Sequence, residues 1–171
     1  MKKILGKDMS QQLITLKKRK GEFNQNISEF SLSGQYINKP SLAFWTSSLI
    51  GENESAWTRW CSYEMPEWLD DVRKYILIPK RDLRILEISC EEDLAGLPKT
   101  EPVRTIGIGP MVLDFQRIHS LGFSGIHLTE DGASTLHFGS VKYDIDFNAW
   151  DMESTVWLEP NCFESVKELT D

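Results

Sequence analysis

The sequence predicts a single α+β domain, and three observations carry that expectation. Strand-like runs outnumber helical ones. Their order is mixed, without the regular strand–helix–strand alternation of a parallel-sheet protein. No repeat, low-complexity tract or linker interrupts residues 1–171, a length that suits one domain burying roughly 70% of its unfolded surface.

The elements follow in order. Leu13 to Lys17 is a strand candidate, and Lys17-Lys18-Arg19-Lys20 reads as a solvated edge or turn ended by Gly21. Ser28 to Tyr36 alternates loosely through Phe30 and Leu32 and stops near Gly34, which predicts a short strand and turn. Leu42 to Ser48 is apolar and β-prone, a buried strand, and Gly51 opens a polar loop to Glu54. Ser55 is placed to cap a helix carrying Trp57, Trp60, Cys61 and Glu64 on one face. Pro66 suits the first turn of a second helix, with acids early, Arg73 and Lys74 late, and Trp68, Leu69, Val72, Tyr75 and Ile76 as its apolar face.

Leu83 to Ile88 reads as a strand, and Ser89-x-x-Glu92 as a capping box for a short helical turn. Met111, Val112, Phe115, Ile118 and Leu121 recur at helical spacing, with Gly122 as the stop. Phe123 to Leu128 is a strand, residues 134–147 a hairpin or two short strands, and Phe163 to Leu169 a final helix.

Composition narrows the function classes. A net charge of −7 argues against tight nonspecific binding to nucleic acid or an anionic membrane. No apolar run approaches the ~18 residues of a membrane span, and Met1 to Asp8 lacks the apolar core of a signal peptide. Cys61, Cys90 and Cys162 are odd in number and widely spaced, which predicts a reduced, cytoplasmic protein with neither disulfides nor a zinc site. Six tryptophans require a large core or a cleft to line.

Phosphate-cradling glycine motifs are missing; Gly107-x-Gly109-Pro110 is too short and reads as a turn into a helix. His119, His127 and His137 fall in different elements and read as structural, His119 without a spaced acidic partner. Ser47 and Ser48 lack the G-x-S-x-G elbow of a hydrolase nucleophile. Two segments remain. One is Phe44-Trp45-Thr46-Ser47-Ser48 with Ser55-Ala56-Trp57; the other is Asp151-x-Glu153 ahead of Ser154 to Pro160. In a strand Asp151 and Glu153 would share a face, and paired carboxylates are unfavourable unless they have work to do.

Together these segments resemble the ADP-ribosyltransferase superfamily of the diphtheria-like and arginine-modifying toxins and the poly-ADP-ribose polymerases. Phe44 to Ser48 is similar to the family's mid-chain strand and its Ser-Thr-Ser signature, and Ser55-Ala56-Trp57 to its Ser-x-x-aromatic helix start. Glu153 to Pro160 looks like its C-terminal glutamate strand, Asp151-x-Glu153 like the Glu/Gln-x-Glu motif, and Leu121 to Ile126 like its helix-end and Gly-Ile strand.

The resemblance implies a split β core of two packed, mostly antiparallel sheets flanked by short helices. It implies NAD as a substrate, with ADP-ribose passed to a macromolecular acceptor, protein or nucleic acid, and nicotinamide released. Glu153 would stabilise the oxocarbenium-like ribose, as carboxylates do in glycoside hydrolysis, and Asp151 would orient or deprotonate the acceptor. Trp45, Thr46 and Ser47 would form the NAD-binding wall and support Glu153. Ser55 would start the helix that brings Trp57 or Trp60 onto the nicotinamide ring. The setting it implies is a cytoplasmic toxin or counter-defence effector with an antitoxin or immunity partner and no membrane partner.

The chain departs from the family at two points. Only Lys18 or Arg19 could supply its early His or Arg, and Trp stands where Tyr is usual. Plainer readings stay open: Glu153 as a strand cap, Asp151 as the end of a turn, Trp45 and Trp157 as core. A silent domain of the same fold, acting as a binding or inhibitory module, is the alternative function. A tryptophan-lined carbohydrate or peptide binder is a third.

Overall fold

The computed structural model describes residues 1–17, 23, 31–32, 38–40, 42–102, 110–147 and 150–169. Strands β1 (Lys3–Leu5), β2 (Gln12–Lys17), β3 (Phe44–Ile50) and β4 (Glu54–Ser55) lead into helix α1 (Ala56–Glu64). Then come β5 (Val72–Pro79), β6 (Arg84–Ile88), β7 (Lys99–Thr100), β8 (Val112–Leu113), α2 (Phe115–Ser120) and β9 (Gly125–Leu128). Helix α3 (Glu130–Leu136), β10 (Ser154–Trp157) and β11 (Phe163–Leu169) complete an α+β order with few helices. None of the described helices is long and apolar enough to cross a membrane.

The strands run β1-β6-β9-β10-β3-β2-β5-β11, with β4 on the end of β3 and β7-β8 apart. Pairing is antiparallel except between β6 and β9. All four residues of β10 are buried, so its two faces feed two cores. Val156 joins Leu86, Ile126, Phe115 and Trp150 on one side. Trp157 joins Ile14, Leu77, Ile85 and Phe163 on the other. A buried ring of that size contributes at most roughly 4–6 kcal/mol of transfer free energy, which makes β10 the spine of the domain.

Two expected helices are strands. Pro66–Trp68 forms only a 3₁₀ turn, Asp71 takes a φ of 52°, and the chain then extends as β5. From Tyr75 the burial alternates, with Leu77 and Pro79 inward, the period of a strand. Phe163–Leu169 likewise pairs along β5 as a charged edge strand. Both runs carry patterns that satisfy either period over a short length. Hydrogen bonding to β2 and between β5 and β11 decides them.

Smaller departures have local causes. The cap expected at Ser89 moves on to Cys90, because the Asp93 carboxylate takes the N–H groups of both Ser89 and Cys90. Met111 and Val112 stay outside α2, whose start is set by Asp114 accepting from the Arg117 N–H at 2.8 Å. In place of the hairpin at 134–147, Thr129 caps α3, and beyond it only isolated bridges join Ile145 to Ser140 and Met111. Of the strand expected at 28–36 only residues 31 and 32 are described, neither of them in a strand; the rest of it, the basic residues 18–20 and the glycines at 107 and 109 lie outside the described residues.

Candidate functional site

The site begins with a change of partners in β3. Phe44, Trp45 and Thr46 pair with β10, whereas Ser47 and Ser48 pair with Leu13 and Gln12 of β2. From Ile14 onward β2 follows β5 and parts from β3. A cavity of about 450 Å³ opens in that fork, with Leu13 to Leu16 on one wall and Ala43 to Ser47 on the other. Trp57 and Trp60 of α1 line it with Trp150, and Asp151 reaches its edge.

Helix α1 is aimed by its cap. The Ser55 hydroxyl accepts from the Thr58 N–H at 3.3 Å, and the Thr58 hydroxyl accepts from the Ser55 N–H at 2.8 Å. The Trp57 N–H in turn donates to Ser47 Oγ at 3.3 Å, tying the helix start to β3. The sequence expectation for Ser55 as a cap therefore holds.

Glu153 sits where the β3–β10 ladder ends. The pairing stops at Thr46 with Thr155, and the Ser48 N–H beyond it donates to both carboxylate oxygens of Glu153, at 3.1 and 3.0 Å. Ser47 Oγ donates to Oε2 at 2.5 Å. Nδ1 of His127 lies 3.5 Å from Oε1 and 2.9 Å from Thr155 Oγ1. The carboxylate is thus buried, 7% exposed, and held by donors from β3. Burial is the main reason the His127 pKa is lowered, against opposing pulls from Glu153 and Glu87.

Asp151 and Glu153 do not share a strand face. Strand β10 starts at Ser154, and the two acids lie in the bend before it, Asp151 exposed and Glu153 drawn inward. The hydroxyls of β3 also divide their work. Ser47 supports Glu153 directly, while Thr46 donates to the buried Gln12 Oε1 at 2.7 Å and accepts from the Trp157 indole at 2.9 Å. Trp45 packs edge-on to Trp150, with ring centres 4.8 Å apart, and still lines the cavity.

Seven of the eight expected site residues thus line one cavity: Trp45, Thr46, Ser47, Ser55, Trp57, Trp60 and Asp151. Glu153 borders a second hollow of about 570 Å³ between α1 and α3, which shares Trp60, Asp151 and Met152 with the first. Sequence reasoning missed Lys39, Gln12 and His127. Gln12 and His127 reach β3 and Glu153 only through strand pairing, which leaves no mark along the chain. His119 also acquires an acid, Glu159, at 3.6 Å. No protein-family model matches the chain, and neither the curated proteins nor the solved structures include a significant match.

Proposed function

We propose that this domain cleaves the nicotinamide–ribose bond of NAD and transfers ADP-ribose to a macromolecular acceptor. The observation that carries the reading is the buried Glu153 carboxylate, fixed by Ser47 Oγ and the Ser48 N–H and bordering a hollow that shares Trp60, Asp151 and Met152 with the tryptophan-walled cavity. A carboxylate held rigidly in low dielectric stabilises a developing oxocarbenium ion without reorganising. Trp57 and Trp60 present flat apolar faces for the nicotinamide ring. The β2–β3 fork fits a split core of the ADP-ribosyltransferase type, and Asp151, exposed at the junction of the two hollows, is suited to meet an acceptor. The acceptor is a protein or nucleic acid, and the biological role is that of a cytoplasmic effector with its own inhibitor.

The test is nicotinamide release from NAD by the wild type and by Glu153→Gln. The variant keeps the side-chain volume and one acceptor oxygen, so circular dichroism should stay native while release falls roughly 10²–10³-fold. Undiminished release by a folded Glu153→Gln would sink the reading.

One observation favours a second reading, a catalytically silent module that binds a partner. Glu153 is 7% exposed and lines the second hollow rather than the aromatic cavity. That reading predicts a wild-type protein that releases no nicotinamide.

A further inference from the structure

Lys39 stands half-buried in the wall of the β2–β3 cavity, its ammonium 5.4 Å from the centre of the Trp45 ring. No hydrogen bond or ion pair joins it to any described residue. Asp151 reaches it only as a through-space charge from an exposed position at the cavity edge. The remaining described lining residues are uncharged, so Lys39 is the one cation among the described residues of the lining.

A desolvated ammonium without a partner is unfavourable. Burial accordingly pulls the Lys39 pKa below the ordinary lysine value, with Asp151 opposing more weakly. The indole face offers a cation–π contact of about 0.5–2 kcal/mol, but among the described residues no oxygen accepts from the strong N–H donors. A phosphate would supply those acceptors, and a lysine binds phosphate as a compact point charge. The aromatic surface of Trp57 and Trp60 lines the same cavity, whose size is that of a small-molecule site.

We propose that Lys39 anchors an anion subsite in this cavity, which takes the phosphate of a nucleotide whose flat ring rests on the tryptophan wall. That the nucleotide is NAD rests on the function proposed above; the phosphate anchor itself does not. Lys39 is a binding residue and touches no reacting bond.

Calorimetric titration of nicotinamide, nicotinamide mononucleotide, NAD and AMP into wild type, Lys39→Met and Lys39→Arg tests it. Lys39→Met should weaken the phosphate-bearing probes roughly ten- to hundredfold, leave nicotinamide unchanged, and be largely reversed by Lys39→Arg. Unchanged nicotinamide affinity also reports an intact cavity. Equal NAD affinity in wild type and Lys39→Met overturns the subsite and leaves the proposed function standing. If AMP alone binds and is lost in Lys39→Met, the subsite stands and the NAD reading falls. If no phosphate-bearing probe binds the wild type, both fall.

Discussion

Ser47 Oγ donates to Glu153 Oε2 across 2.5 Å, joining two residues 106 positions apart in the chain. The same oxygen accepts from the Trp57 N–H, so one hydroxyl on β3 fixes both the buried acid and the start of α1. Its removal in Ser47→Ala should destabilise the domain by about 1–3 kcal/mol, because the buried Glu153 carboxylate and the partly buried Trp57 N–H each lose a partner. For a domain of this size that lowers Tm by about 2–4 °C per kcal/mol. Nicotinamide release should fall at least tenfold, since the Ser48 N–H alone would then hold the carboxylate from β3. A native Tm with full release would show that Ser47 orients nothing.

His127 makes stability depend on pH. Its folded-state pKa lies below the ordinary 6.5, chiefly through burial, so the unfolded chain binds a proton that the native state refuses. Its contribution is complete above about pH 6.5 and is lost as the pH falls from there toward the folded value, at up to ~1.4 kcal/mol per pH unit. Urea unfolding of wild type and His127→Gln at pH 7.5, 6.5 and 5.5 should show the wild type losing more stability over that range. Parallel losses in the two proteins would remove His127 from the account.

Gly132 lies in α3, where alanine would ordinarily be better by about 1 kcal/mol. Here a Cβ would press on the Ile88 carbonyl oxygen and come within 2.9 Å of Leu128 Cδ1. Gly132→Ala should therefore destabilise by about 1–3 kcal/mol, the reverse of the propensity scale. A raised Tm would mean that α3 can shift away from β6 and β9 without loss.

The three thiols should separate by reactivity. Burial pushes Cys162 up to about 12 and raises Cys61 as well, whereas Cys90 is partly exposed. The thiolate is the reactive species, so alkylation of the native protein near pH 8 should label Cys90 alone and reach the others only on unfolding. Rapid native labelling of Cys162 would contradict its burial in the core beside Trp157 and Phe163.

Much of the site was legible along the chain because its signals are local. The Ser55 cap depends on residues three apart, and the β-prone run of Phe44 to Ser48 depends on its own composition. The aromatic residues were recognisable as cleft or core material from size alone. Lys39 carried no comparable mark, since a lone lysine before a proline reads as an ordinary turn residue. Its place in the cavity follows from how β3 and the residues around Trp150 pack, not from its neighbours in sequence.

By itself, then, the sequence determined the α+β class, the capped α1, strands β3, β6 and β9, and the identity of most residues around the cavity. Tertiary structure alone decided that 72–79 and 163–169 are strands, that Glu153 is buried while Asp151 is not, and that His127 and Lys39 belong to the site. The physical reason is one of range. Caps and turns are settled by groups a few residues apart, whereas a short amphipathic run satisfies helix and strand alike until a remote strand supplies its hydrogen bonds. A carboxylate is likewise drawn inward only when donors from another strand are waiting for it.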